Sequence, residues 1–206
     1  MPKAVRRVGA QNSKTRDALL DCVERLMLEK GYAAVTYRAV AAKAGVTSGL
    51  VQYYFPTLDD VFVAAIRRRT DRNLERLIEA LKARPDELLH VMWEFGWDEA
   101  AGALITEFTA LANHRRSIRS QIAEVIERTR QVQLVALTTY MQSRNLVVDL
   151  SPGALLLLLS GLPKLLKLEE GIGVRAAHDE VVGAVLSRLD AVEPGHPDRS
   201  TPKPKR

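Results

Sequence analysis

A chain of 206 residues, 47% apolar and 27% charged, is long enough for one large domain or two small ones and too apolar to be disordered. Its net charge of +5 is lodged at the ends: residues 1–16 carry five basic side chains and no acid, residues 193–206 add +2, and the body between sits at −2. The single cysteine, Cys22, rules out an internal disulfide framework. No apolar leader opens the chain, and its longest apolar run, residues 154–162, is too short to cross a bilayer, so the expected location is cytoplasmic, away from membranes.

Apolar residues recur at helical spacing almost throughout, with no period-2 strand, so the expected fold class is all-α. Leu19, Leu20, Cys22, Val23, Leu26 and Met27 make one apolar face of a first helix, which Gly31 should end. A short second helix should start after Thr36 and run to Gly45, and a third should run from Thr47 to about Tyr54. Each start has a threonine whose hydroxyl can accept from an unpaired first-turn amide. Thr57 with Asp60 reads as a capping-box-like pair opening a long fourth helix towards Ala83. Further helices are expected over 86–96, 98–113 and 117–144. Ser151-Pro152, a cap followed by a first-position proline, should open another, apolar all round and bent at Pro163. A last helix is expected over 177–191, followed by a proline-rich charged tail.

Two short helices joined by "KAGV" fit a helix-turn-helix, in which the second helix enters the major groove and the first braces it. The second of these has suitable chemistry. The Thr47 hydroxyl and the helix N-terminus can meet phosphate, and Gly49 removes a side chain where DNA would press close. Gln52 offers a paired donor and acceptor suited to an adenine edge, and tyrosine hydroxyls can bond phosphate oxygens. The basic arm before Thr15 suits a phosphate backbone, although a merely solubilising terminus has the same composition.

Residues 15–62, "TRDALLDCVERLMLEKGYAAVTYRAVAAKAGVTSGLVQYYFPTLDDVF", resemble the DNA-binding region of TetR-family transcriptional regulators. The resemblance rests on a threonine-arginine helix start, Gly31-Tyr32, Thr36, Ala41, Ala44-Gly45-Val46, Thr47, Gly49 and Phe55. It implies a three-helix DNA-binding bundle followed by a larger helical ligand-binding and dimerisation domain. It divides the chain into a flexible basic arm (1–12), the DNA-binding domain (13–58), the second domain (59–192) and a disordered tail (193–206). The residues it sets at the DNA are Thr36, Arg38, Thr47, Ser48, Gly49, Leu50, Gln52, Tyr53 and Tyr54, with Phe55 a buried ring ending the recognition helix. Two positions depart from the family pattern. Gln52 stands where tyrosine is common, and Leu58 stands where a phosphate-binding lysine is common.

The partners so implied are double-stranded DNA with a pseudo-palindromic operator, a second copy of the chain and a small apolar or amphipathic effector, with no cofactor and no metal. The all-apolar helix after Ser151 and the last helix are expected to build the homodimer interface. "VMWEFGWDEAAGALITEF" is the expected effector site, through Met92, Trp93, Trp97 and Phe108, joined by Tyr140 and Met141 from the long helix. Glu94, Asp98, Glu99 or Glu107 would orient a polar group. Trp93 and Trp97 share a face if their helix continues through Gly96. Ordinary core packing would use the same residue types.

The fourth helix carries Arg67, Arg68, Arg69, Arg72 and Arg76. They begin about 13 Å from its start, so an acid-paired or solvated face is expected rather than DNA contact. An all-helical enzyme is the main competing class. Yet His90, His114, His178 and His196 have no metal-ligand spacing, His90 and Glu94 read as a surface pair, and no phosphate loop or nucleophile elbow appears. An architectural DNA-binding protein without effector control would leave the second domain unexplained. The expected function is a ligand-responsive, sequence-specific transcriptional regulator, a repressor by the resemblance, and not an enzyme.

Overall fold

Gly31 stops the first helix as its position requires: with φ at +76° it adopts a left-handed backbone closed to most side chains, and its amide donates back to the Met27 carbonyl at 2.9 Å. The computed structural model describes residues 14–97, 99–146 and 148–194, with the backbone alone for residues 99–103. The basic arm before Lys14, Asp98, the Glu99 side chain, and the tail from residue 195, His196 included, lie outside the described residues.

The elements are α1 (Lys14–Lys30), a 3₁₀ turn (Tyr32–Ala34), α2 (Tyr37–Ala44), α3 (Ser48–Tyr54), α4 (Leu58–Ala83), α5 (Leu88–Gly96), α6 (Glu99–His114), α7 (Arg116–Ser143), α8 (Pro152–Gly171) and α9 (His178–Val192). The all-α class holds, with no strand among the described residues. The threonine caps form as local chemistry demands. Thr36 Oγ1 accepts from Ala39 N at 3.1 Å, and Thr47 Oγ1 accepts from Leu50 N at 3.3 Å. Thr57 and Asp60 make the reciprocal box: Thr57 N donates to Asp60 Oδ2 at 2.9 Å, and Asp60 N donates to Thr57 Oγ1 at 3.1 Å. Ser151 Oγ accepts from Ala154 N at 3.2 Å, with Pro152 opening α8. The 3₁₀ turn was not foreseen, and α5 starts two residues later than the expected 86, after the Glu87 amide has donated to Arg84 O.

The packing forms two units. The first holds residues 14–72 together with Ala103–Arg128. Its core joins Leu19, Val23 and Met27 of α1 with Val40, Val51, Phe55, Phe62 and Ile66, and with Leu104, Phe108, Leu111, Ile118 and Ile122 from α6 and α7. The reason is area. Helices α2 and α3 bury only Val40, Ala41 and Val51 between them, about 2 kcal/mol per large side chain, which cannot offset the ordering of both helices. The helix-turn-helix therefore leans on chain far beyond residue 58.

The second unit holds Asn73–Gly102 and the residues from Thr129 on. Its core joins Leu88, Leu89, Met92, Trp93, Leu137, Tyr140, Leu155, Leu156, Leu159, Leu166, Val182 and Leu189. Gly96 is explained by α8: a Cβ there would stand 2.9 Å from Leu159 O and 3.0 Å from Pro163 Cγ, so only glycine lets the helices close. A carboxylate also organises this unit. Glu193, expected as the first residue of the tail, is 5% exposed and accepts from Leu89 N at 2.8 Å, His90 N at 3.1 Å and Tyr140 Oη at 2.7 Å. It thereby caps α5, whose own N-cap residue, Glu87, accepts no capping bond from the helix's first amides and instead pairs with Arg84 at 2.7 Å.

Candidate nucleic-acid interface

Helix α3 has seven residues, and its periodicity sorts them by face. Val51 is fully buried and Phe55, which follows the helix, is 1% exposed, so positions i and i+4 point into the first core. Gly49, Gln52 and Tyr53, spaced i, i+3 and i+4, are exposed, Tyr53 by half. Ser48, Leu50 and Tyr54 are half-buried, and Tyr54 packs on the core while meeting Tyr53 edge-to-face at 5.3 Å. The crowded rings thus divide: Phe55 seals, Tyr54 supports, and Tyr53 is presented.

The turn before α3 is built on Gly45, left-handed at φ +67°, whose amide bonds the Ala42 carbonyl at 3.4 Å. Thr36, Arg38 and Thr47 are exposed at the starts of α2 and α3. Each cap hydroxyl accepts from a backbone amide and so keeps its own proton free for an incoming oxygen. Arg16 lies 5.1 Å from the centre of the Phe55 ring. Leu58, at the first position of α4, is half-buried against the first core.

Two of the α4 arginines, Arg68 and Arg72, are held by acids. Arg68 Nη2 donates to Asp21 Oδ1 and to Glu24 Oε1, both at 2.7 Å, its Nη1 donates to Asp17 O at 2.6 Å, and Arg72 Nη2 reaches Glu24 Oε1 at 2.6 Å. Glu24, 8% exposed, was not foreseen as a partner; its place within the apolar face of α1 was the available signal. Arg76 lies over the Phe95 ring at 5.8 Å, and Arg67 is exposed. At the start of α4, Asp59 accepts from Ser117 Oγ at 2.5 Å and from Arg115 Nη1 at 2.8 Å. The Ser117 bond first, and Arg115 after it, hold the Asp59 carboxyl below its ordinary range.

The expected effector residues divide between the two cores. Met92, Trp93 and Tyr140 are buried in the second core, with Trp97 and Met141 packed at its margin, whereas Phe108 is 1% exposed in the first core. Trp97 follows the last residue of α5, so its edge-to-face contact with Trp93 at 5.7 Å is made beyond the helix end and not along one continuous face. Two of the proposed orienting acids are otherwise engaged: Glu107 accepts from Tyr32 N at 2.7 Å, and Glu94 accepts from Arg84 at 2.6 Å. Met141 borders a surface recess of about 590 Å³ with Thr138, Gln142, Asn145, Leu146 and Pro152. His90 is not a surface partner of Glu94. It is 1% exposed, with Nδ1 2.7 Å from Glu193 Oε2 and Nε2 2.9 Å from Asp190 Oδ1.

Two short capped helices, a left-handed glycine turn and an exposed i, i+3, i+4 stripe on the second helix define a helix-turn-helix DNA-binding regulator. Residues 19–65 match the family model described as bacterial regulatory proteins, tetR family. The chain thus carries, over those residues, the DNA-binding region of the TetR family of transcriptional regulators. It is 26% identical over 145 residues to the HTH-type transcriptional repressor BepR of Brucella suis biovar 1, covering 66% of this chain and 68% of that one. Among solved structures it is similar to a transcriptional regulator from Rhodococcus sp. Rha1 (TM-score 0.67, 22% identity, 86% of this chain and 95% of that one). It is also similar to the multidrug binding protein EbrR complexed with imidazole (TM-score 0.55, 25% identity, 92% and 99%). Its curated relatives are named as regulators or repressors of transcription.

For Leu58 the packing leads to a prediction. In Leu58→Lys the stem methylenes can keep the contact with the core while the ammonium reaches a phosphate. Binding to any duplex is expected to tighten several-fold, and the log–log salt slope to steepen by about one. Titrations at two salt concentrations check this, and an unchanged slope rules the contact out.

Proposed function

We propose that this regulator is a homodimeric repressor that reads a pseudo-palindromic operator with Gln52 and Tyr53 and is released by a small apolar or amphipathic effector. The observation that carries the DNA reading is the exposed stripe of Gly49, Gln52 and Tyr53 on a helix anchored at both ends. Arg38, Thr36, Thr47 and Ser48 serve the backbone, Gly49 and Leu50 allow close approach, and Tyr54 buttresses Tyr53. Repression is supported by the likeness to BepR, named a repressor.

An effector role is supported by the likeness to EbrR, named a multidrug binding protein and complexed with imidazole, and by a second unit much larger than bracing requires. Trp93, Trp97, Met92, Tyr140 and Met141 line the candidate region. Phe108, set in the other core, is left out of it. Dimerisation is supported by four leucines of α8 that stand half exposed. A twofold dimer places the half-sites about 34 Å apart or a multiple of it. Helices α4 and α7 contribute residues to both units, so an effector that prefers one arrangement of them lowers the DNA-competent population by its differential affinity. A regulator working on DNA in this way would act in the cytoplasm.

The test is selection of bound duplexes from a random pool, followed by release with candidate metabolites. A palindromic consensus is expected, and a pool with no preferred sequence would end this reading. Gln52→Ala should relax the choice at one symmetric base pair by about 1–3 kcal/mol, a loss of roughly 5- to 150-fold in discrimination there, while leaving non-specific affinity alone.

A further inference from the structure

The hydroxyl of Tyr37 ties together the two helices of the motif. Tyr37 is the first residue of α2, yet its Oη lies 3.0 Å from Phe55 O and 3.0 Å from Pro56 O, at the exit of α3. One phenolic proton serves both carbonyls as a three-centre bond. Helix ends leave their last carbonyls unpaired, and here Pro56 has no amide and α4 begins only at Leu58. A side chain from outside the helix therefore does what continuing helix would do.

We infer that Tyr37 is a positioning residue for operator recognition, setting the tilt of the recognition helix through its bond to the Phe55–Pro56 backbone. This rests on the proposed reading of α3 as the helix that meets the bases. The short length of α3 makes it susceptible. Seven residues give about two turns, and the only fully buried side chain within them is Val51. The N-terminal end is set by the Thr47 cap and the Gly45 turn; the C-terminal end is set by the buried Phe55 ring and the Tyr37 bond. Gln52 and Tyr53 stand three and two residues before Phe55, so a displacement of the exit is carried directly to the presented stripe. Tyr37 also lies between Thr36 and Arg38, so one side chain couples the DNA-facing start of α2 to the DNA-facing part of α3. Burial first, and then the charge of Asp60, push the phenol above its ordinary range, which keeps the proton it donates.

The experiment is Tyr37→Phe in the full chain, which keeps the ring packed on the first core and removes only the hydroxyl. Affinity is measured for the duplex selected from the random pool and for poly(dI-dC), alongside thermal melting, with Gln52→Ala in parallel. Operator affinity is expected to fall about 3- to 10-fold, the scale of one net hydrogen bond, with poly(dI-dC) affinity unchanged and the melting point close to the parent's. Parallel losses on both DNAs, or no loss on either, overturn the positioning role. If Gln52→Ala loses operator preference and Tyr37→Phe does not, the positioning role fails while the reading of α3 stands. If Tyr37→Phe loses it and Gln52→Ala does not, the base contact passes to Tyr53 and the positioning role stands. A selection yielding no preferred duplex overturns both.

Discussion

A chain carrying Leu165→Glu and Leu168→Glu together is expected to sediment as a monomer and to bind its operator about 10²- to 10⁴-fold more weakly. Leu157, Leu158, Leu165 and Leu168 are 51%, 48%, 50% and 54% exposed, although Leu155, Leu156, Leu159 and Leu166 of the same helix are buried. At 100° per residue these four fall within about 100° of arc, one continuous stripe. Covering the exposed half of each leucine yields about 1 kcal/mol, hence about 8 kcal/mol across two protomers. Association costs roughly 4–15 kcal/mol, so the stripe is necessary but needs added area, for which α9 is the neighbouring candidate. Two carboxylates per protomer reverse the balance, because burying each ion costs several kcal/mol. The DNA effect follows from linkage: joined half-site readers act at high effective concentration, and separated ones do not. Sedimentation velocity and operator titration check it; a double variant that remains dimeric and binds as tightly as the parent would sink the α8 interface.

Glu193→Ala is expected to lower stability by about 3–5 kcal/mol, which for a chain of this size moves the melting point down by roughly 10 °C. The cost comes from what the missing carboxylate leaves behind. The amides of Leu89 and His90 and the ring nitrogen of His90 lose an acceptor inside the second unit. Tyr140 loses one of its two acceptors and keeps Asp86 O, at 2.9 Å. Burial first, and then the Glu193 carboxylate, raise the Tyr140 phenol well above its ordinary range, consistent with a hydroxyl that serves only as a donor. Glu193→Gln keeps the shape and one acceptor oxygen, so it should cost distinctly less. Melting curves of the three proteins decide it, and an alanine variant within 2 °C of the parent, a shift of about 1 kcal/mol or less, would show that the buried network is dispensable.

The parts legible in the sequence are those whose chemistry closes within a few residues. Thr36 with Ala39, Thr47 with Leu50, Thr57 with Asp60 and Ser151 with Ala154 are all three residues apart, so each helix start could be read from its cap. The same locality made α3 readable, because the inward turn of Val51 and Phe55 dictates that Gly49, Gln52 and Tyr53 face out.

Contacts between distant residues were not legible. Phe108 and Trp93 look alike in the sequence, as bulky apolar residues on neighbouring helices, yet packing assigned them to different cores. Gly96 read as a break in a ring-bearing face, and the approach of Leu159 and Pro163 decided its purpose. Glu193 lies 103 residues from His90 and looked like the start of a tail. Its burial depends on α5 and α7 offering donors that only the assembled unit brings together. Tyr37 carried no mark of its reach to Phe55 and Pro56, 18 and 19 residues away. By itself the sequence determined the α-helices, the starts that carry a side-chain cap and the face of α3 turned outward, because periodicity and capping are local. Which apolar residues share a core, and which polar groups hold distant ends together, was decided only by the tertiary structure, because those bonds need partners that folding alone makes neighbours.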